Sequence, residues 1–200
     1  MTREETARIE AALRAAQARC SGQIVCVLAR ASASYEAPPL IWSAVVALAA
    51  PWPLLFFTDL SAERIFIAQL AIFLVALGLL SLPALRWRLT PGAVRRSHAH
   101  RAALEQFVIR GVTHCAERNG VLIYVSLAER YARIVADDGA ARAIGQNEWR
   151  AIVDRLTGDM KTGATGQALI GAATSCGDLL ARHFPAQGGA APVAQRFHLL

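Results

Sequence analysis

Two long apolar runs, separated by a short polar segment, dominate the pattern of hydrophobic and polar positions along the chain. Residues 40–57 and 65–85 contain no ionisable side chain, and only residues 58–64 lie between them. As helices, the runs would span roughly 27 and 31 Å, close to the hydrocarbon thickness of a bilayer. Because a helix satisfies its own backbone polar groups, such runs cross lipid as helices. The pattern predicts a two-helix transmembrane hairpin; the alternative is a buried helical hairpin in a large soluble core.

The first apolar run contains two prolines, Pro51 and Pro53. Each removes a backbone donor, so we expect the helix to kink or break there. A re-entrant first segment is therefore a second interpretation of this run. Trp42 and Trp87 lie near the outer ends of the two runs, where amphipathic rings favour the membrane interface.

Charge around the runs predicts an orientation. The connecting segment carries one basic and two acidic residues, whereas no acidic residue occurs between Arg64 and Glu105. The positive-inside bias then predicts two spans with both termini in the cytoplasm and residues 58–64 on the other side of the membrane. We expect a basic cluster at the membrane surface to attract anionic lipid headgroups; its members are Arg86, Arg88, Arg95 and Arg96.

Outside the hairpin, short apolar runs alternate with amphipathic patterns. Residues 23–29, 121–125 and 131–136 predict buried strands, and the short segment 126–130 joins the last two as a β-hairpin. Helical patterns begin near Thr2, which has capping-box spacing with Glu5, near Ser97, at Asn147, and at residues 165–183. This order predicts the α/β class: a three-layer α/β/α sandwich with a small mixed sheet, interrupted by the transmembrane hairpin.

The hairpin is predicted to lie inside one domain, because neither flank alone is long enough to bury a core. Residues 1–37 and 91–185 form the two parts of this domain, and residues 38–90 form the hairpin. Residues 186–200, which include a Gly/Ala/Pro-rich stretch, are predicted to be a loose tail.

Composition excludes several classes of function. The formal charge is +6, but much of the excess lies in the basic cluster and no basic run is interleaved with aromatics, so nucleic acid is not an expected partner. The four cysteines form no C-x-x-C pair, which argues against zinc, and are expected to be reduced. The sequence has neither a P-loop nor a G-x-G-x-x-G motif.

Three sequence blocks carry a family resemblance: SGQIVCV at 21–27, NGVLIYVSLAER at 119–130 and IVAD at 134–137. They resemble the TPM domain, a module of thylakoid lumen and photosystem-repair proteins, and the chain is similar to its bacterial branch with an inserted transmembrane hairpin. The resemblance covers about residues 20–30 and 97–185. It implies an α/β/α sandwich, with acid phosphatase activity and cation binding by edge aspartates in some members, and assembly or repair of membrane complexes in others.

Asp137 and Asp138 follow the third predicted strand directly. Two carboxylates and a loop carbonyl, with Glu148 or Asp154 as a further ligand, can hold Ca²⁺ or Mg²⁺, which prefer six or more oxygens. The other interpretation, which the sequence favours, is an Asp-Asp-Gly turn in which short side chains bond nearby amides. The loop after the first strand, with Ser32, Ser34 and Tyr35, has two interpretations: it faces the same sheet edge, where ligands of open α/β sheets bind, or it is simply the tether to the membrane.

Two functions remain in competition. The first is a membrane-anchored binding or assembly/repair factor at the cytoplasmic face of the inner membrane, with the bilayer and other membrane proteins as partners. The alternative is a weak, divalent-metal-dependent acid phosphatase acting on phosphomonoesters. No cofactor is assigned to the first, and Ca²⁺ or Mg²⁺ would serve the second. The sequence favours the binding or assembly function, because the membrane anchor is evident in the sequence and a complete set of metal ligands is not.

Overall fold

The computed structural model describes residues 1–33, 37–58, 61–82, 85, 90–112, 117–186 and 197–200. The chain divides into two compact units, one formed by Met1–Ser32 with Arg96–Leu200 and one by Ala33–Arg95. The domain boundaries proposed from the sequence stay a prediction.

The helices and strands of the described residues follow one another in a mixed order. They are α1 (Arg3–Gln17), β1 (Ile24–Ala29), α2 (Ala37–Ala49), α3 (Pro51–Phe57), α4 (Ala62–Leu80), α5 (Gly92–Ile109), β2 (Val121–Ser126), β3 (Tyr131–Ala136), α6 (Asp138–Ala143), α7 (Gln146–Lys161), α8 (Thr165–His183) and β4 (Phe197–Leu199).

The four described strands form one mixed sheet in the order β3-β2-β1-β4. β1 pairs parallel to β2, with Ile24 opposite Val121, and β2 pairs antiparallel to β3, with Val121 opposite Ala136. β4 pairs parallel to the other side of β1. The predicted mixed sheet is confirmed, and β1 lies inside it with all six residues buried.

Helices cover both faces of the sheet, which confirms the three-layer sandwich. On one face, alternate strand residues such as Cys26 and Ile123 pack in a core with α1, α7 and α8. On the other face, Val27 and Tyr124 pack with Ala103 and other residues of α5. The alternation follows from the two-residue period of a strand, which directs neighbouring side chains to opposite faces.

The C-terminal strand β4 corrects the last part of the loose tail predicted over residues 186–200; residues 187–196 lie outside the described residues. Phe197 is buried opposite Cys26, and the Leu200 N–H donates to the Leu28 carbonyl at 2.9 Å. A three-residue strand after a Gly/Ala/Pro-rich stretch is too short to show a two-residue hydrophobic period. The order of this strand comes from its pairing with β1.

One predicted helix start and one predicted loop are also corrected. α5 begins at Gly92 and not at Ser97, since the Pro91 carbonyl already accepts a helical bond from the Arg95 N–H at 3.2 Å. A proline beside a helix start costs no hydrogen bond, because the first N–H groups have no intrahelical partner. The segment after β3, predicted to be a loop, contains the short helix α6.

The second unit contains two helical segments long and apolar enough to cross a membrane. They are Ala37–Phe57, with 21 residues, and Ala62–Leu80, with 19, and each has a mean hydropathy of 2.0. The first segment is divided into α2 and α3 next to Pro51, where the sequence predicts a break. Few of these residues are buried, 11% and 6% of the respective windows.

Candidate functional site

Asp137 and Asp138 lie at the sheet edge where β2 begins and β3 ends. The Asp137 N–H donates to the Gly120 carbonyl at 2.8 Å, one position before β2. Because β1 and β2 run parallel and β3 runs against them, this is the amino-terminal edge of the parallel pair.

Asp137 is the N-cap residue of α6 and is only 3% exposed. Its Oδ1 accepts a hydrogen bond from the Asp138 N–H at 2.8 Å, which satisfies an amide in the first turn. The same oxygen accepts from the Arg118 guanidinium, at 3.3 Å from Nε and 3.1 Å from Nη2. Its Oδ2 is buried without a hydrogen-bond partner among the described residues.

One guanidinium serves both adjacent carboxylates. Arg118 Nη2 lies 3.1 Å from Asp137 Oδ1 and 3.2 Å from Asp138 Oδ2. The hydrogen bond to Asp137, and then the negative charges of Asp137 and Asp138, raise the pKa of Arg118. The arginine thus offsets part of the negative charge of the acidic pair and occupies one oxygen of each carboxylate.

Glu148 has a different role from the predicted third ligand. Its Oε2 accepts a hydrogen bond from the Gly145 N–H at 3.2 Å, at the start of α7. Across the described residues, no group of three or more His, Cys, Asp or Glu side chains is arranged to hold a metal ion. Ca²⁺ and Mg²⁺ prefer about six oxygen ligands. The metal assignment to Asp137, Asp138 and Glu148 stays a prediction.

A strained turn holds Arg118 against the start of α6. Arg118 has a φ of 50°, in the left-handed region, and its carbonyl accepts from the Gly139 N–H at 2.9 Å and the Ala140 N–H at 3.2 Å. A Cβ at Gly139 would lie far inside van der Waals contact with the Glu117 carbonyl. Glycine is therefore required at this position, because only glycine allows the turn to approach the helix so closely.

A polar cluster continues along this edge toward β1. Glu117 Oε2 accepts from Ser21 Oγ and from Asn119 Nδ2, each at 2.8 Å. Asn119 is 1% exposed, and its Oδ1 has no hydrogen-bond partner in the described part of the chain. The sequence did not identify Arg118 or Glu117 as part of the site. The Arg-Asn-Gly sequence at residues 118–120 favours a turn with a left-handed residue, and this signal could have identified Arg118.

Ser32 lies at the opposite edge, which corrects the expectation that it shares an edge with Asp137. Its N–H donates to Glu129 Oε1 at 2.9 Å, and its hydroxyl lies 2.9 Å from the Tyr124 hydroxyl. Ser126 also donates to Glu129. Since β3 runs antiparallel to β2, the last residue of β3 lies at the same sheet edge as the first residue of β1. Ser32 follows the end of β1 and therefore lies at the other edge. Ser34 and Tyr35 lie outside the described residues.

The structure describes two of the four residues of the predicted basic cluster. Arg95 and Arg96 are neighbours in the first turns of α5, and Arg96 is exposed. Arg86 and Arg88 lie outside the described residues. Binding of anionic headgroups by this cluster stays a prediction.

Comparison with protein families identifies the segment that carries this site. Residues 96–179 match the family model of the TPM domain. This chain contains a TPM domain. The match confirms the resemblance seen in the sequence, and the matched segment includes Arg118, Asp137, Asp138 and Glu148.

A solved structure shares the fold. The chain is similar to the NMR structure of the BA42 protein from the psychrophilic bacterium Bizionia argentinensis, with a TM-score of 0.61 and 16% identity. The likeness covers 100% of this chain and 94% of that chain. The comparison with curated proteins gives no match. At this level of identity, the likeness supports the TPM domain's α/β fold and nothing about activity.

Proposed function

We propose that this protein is a membrane-anchored TPM-domain module at the cytoplasmic face of a bacterial inner membrane. In this proposal, the apolar hairpin fixes it in the bilayer, and the TPM domain binds other membrane proteins during assembly or repair of their complexes. Catalysis is not part of the proposal.

The exposure of the apolar helices is the observation that carries the proposal. Phe56 is 77% and Phe57 86% exposed, and Phe66 and Ile67 on α4 are 69% and 63% exposed. Water strongly disfavours so many large apolar side chains on one short segment, whereas a bilayer accommodates them. The arginines that follow the second span support a cytoplasmic position for the flanks.

The contacts of the acidic pair support a binding role over metal-dependent hydrolysis. Arg118 lies against both carboxylates, and Glu148 bonds within its own helix start. A divalent cation at Asp137 would have to displace a guanidinium of the same sign of charge. The edge therefore has the contacts of a structural element that holds β2, β3 and α6 together.

Membrane fractionation and a reporter fusion test the anchor. We expect the full chain to stay in the membrane pellet after an alkaline carbonate wash, since integral helices resist this treatment. A reporter fused after Leu200 should be active only in the cytoplasm. Release by carbonate would refute the anchor, and a periplasmic signal would refute the orientation.

Purification in mild detergent tests the binding role. Membrane proteins that co-purify with the full chain should be absent when the TPM domain carries Val27→Asp, because a charge in the buried strand β1 should unfold it. The matched control is Arg142→Ala on the exposed surface of α6. If the same proteins co-purify with all three chains, they bind the hairpin or the resin, and the TPM domain is not the binding element.

The phosphatase alternative makes an opposite prediction. It requires Ca²⁺ or Mg²⁺ to bind with micromolar affinity and to lose that affinity in the Asp137→Asn/Asp138→Asn double variant. We expect calorimetry to show weak binding or none, and phosphomonoester hydrolysis to stay near background. Micromolar cation binding that depends on both aspartates would refute the binding function proposed here and support the phosphatase function.

A further inference from the structure

Gln69 has the only polar side chain in residues 65–80, the apolar part of α4. It lies about 3 Å from the middle of the helix along its axis, at 1.5 Å rise per residue. In the proposed membrane position, this places an amide near the bilayer centre. Polar side chains at that depth are costly unless they find hydrogen-bond partners.

The described residues of the hairpin do not supply such a partner. The nearest candidate by chemistry is the buried Ser43 on α2, but its hydroxyl donates to the Leu40 carbonyl at 2.9 Å within its own helix. Among the described residues, the Gln69 amide makes no hydrogen bond. Gln69 is only partly buried, so the residue is accessible from outside the hairpin.

Gln69 lines an open groove between α2 and α4. The groove has a volume of about 470 Å³, and its walls include Ala44 and Ala47 on α2 and Phe66 and Leu70 on α4. Ala47 is buried, whereas Phe66 and Leu70 are 69% and 60% exposed and leave an apolar surface open to another helix. Packing of such surfaces is how helices associate inside lipid. The groove therefore combines room for a helix with one unsatisfied polar group.

We propose that this groove is the interface with the hairpin of a second copy of the chain, in which the two Gln69 amides hydrogen-bond to each other. An amide has both donors and an acceptor, so two copies related by a two-fold axis satisfy each other. An acyl chain can fill the groove but offers no hydrogen bond. This inference rests on the proposed membrane anchor.

Co-purification of two differently tagged copies from the same membrane tests the interface. We expect one tagged copy to capture the other in mild detergent, and the dimer dissociation constant to rise roughly tenfold in Gln69→Leu. Leucine suits both a helix and lipid, so this variant keeps the hairpin intact. Gln69→Asn, which retains the amide, should keep a substantial part of the association. The matched control is Leu74→Ala, on the same helix and outside the groove lining, and it should associate like the original chain.

The outcomes separate this inference from the proposed function. Release of the original chain by carbonate would refute the membrane anchor and the interface together. Integral chains that do not capture each other would refute the interface alone. The same holds if Gln69→Leu associates like the original chain, or if Leu74→Ala weakens association as much as Gln69→Leu does.

Discussion

Arg118 joins two acidic side chains of very different exposure. Asp137 is 3% exposed, whereas Asp138 is 62% exposed, and a single guanidinium lies within 3.2 Å of an oxygen of each. A buried carboxylate without a nearby cation or hydrogen-bond donor is strongly disfavoured. The arginine therefore lowers the cost of burying Asp137 at the start of α6.

Removing this guanidinium should destabilise the TPM domain. We expect Arg118→Ala to lower the free energy of unfolding by about 1–3 kcal/mol, because the Asp137 carboxylate stays buried while losing its charged donor. Chemical denaturation measures the change. Arg142→Ala, an exposed arginine of α6 outside the ion pairs, is the control and should stay within about 0.5 kcal/mol. Equal stability of Arg118→Ala and the original chain would show that the ion pair is only a surface contact.

Two buried thiols should be inert in the folded protein. Burial raises the pKa of Cys26 from its ordinary value of 9.0 to about 12, and it also raises the pKa of Cys176. Both thiols therefore stay neutral at pH 8, and alkylation followed by mass spectrometry should leave both unmodified until denaturant is added. The raised values also mean that the fold holds these protons more tightly, so their stabilising effect is complete below pH 9 and is lost as pH rises toward 12. Rapid labelling of either thiol in native protein would contradict this prediction.

The candidate residues show how far sequence can identify a site. The Asp-Asp-Gly sequence predicts hydrogen bonds from nearby amides to the short side chains, and Asp137 Oδ1 accepts such a bond from the Asp138 N–H. The sequence did not reveal Arg118 as the partner, because the contact depends on a left-handed turn and on the antiparallel return of β3. The edge assigned to Ser32 was wrong for the same reason: which ends of strands meet is a property of the whole sheet.

At the scale of elements, α1 and α8 approach each other most closely where Ala16 faces Gly177. A Cβ added at Gly177 of α8 would lie 2.6 Å from the Ala16 Cβ of α1. A Cβ added at Gly171 of the same helix would have no neighbour within 4 Å. The two glycines therefore differ in packing although both interrupt the same helical pattern.

This difference gives opposite predictions for the same substitution. Gly177→Ala should destabilise the protein by roughly 1–3 kcal/mol, because the extra methyl forces the helices apart. Gly171→Ala should stabilise it by about 0.5–1 kcal/mol, because alanine favours a helix over glycine. Thermal or denaturant unfolding of the two variants measures both signs. A stabilising Gly177→Ala would show that α1 can move away without cost.

The elements were predictable to different degrees. The three longer strands and α8 follow from continuous apolar runs and a helical stripe, which need only local sequence. β4 needs β1 as its partner, and the start of α5 at Gly92 includes the hydrogen bond from the Arg95 N–H to the Pro91 carbonyl. A short strand that is stabilised mainly by pairing with another strand shows little hydrophobic periodicity in the sequence.

At the scale of the whole molecule, the hairpin interrupts a domain whose core lies in the other unit. The strands and the helices that cover them belong to Met1–Ser32 and Arg96–Leu200. Replacing residues 40–85 with a short flexible linker should therefore leave a folded, soluble protein. Circular dichroism and a cooperative unfolding transition measure this, with Val27→Asp in the same shortened chain as an unfolded control. An aggregated product without cooperative unfolding would show that the hairpin contributes to the core.

The placement of β1 has a consequence for synthesis on the ribosome. β1 is complete early, but its partner β2 is encoded about 100 residues later, after both apolar helices, and β4 later still. At about 5–20 residues per second, β1 would wait roughly 5 to 20 seconds for β2 to be translated. During that interval, six consecutive apolar residues have neither of their native neighbours, and both edges of β1 are unpaired. An unpaired apolar strand is a site of aggregation, so we expect β1 to need shielding until β2 is made; in the proposed membrane position, the apolar hairpin is inserted during the same seconds.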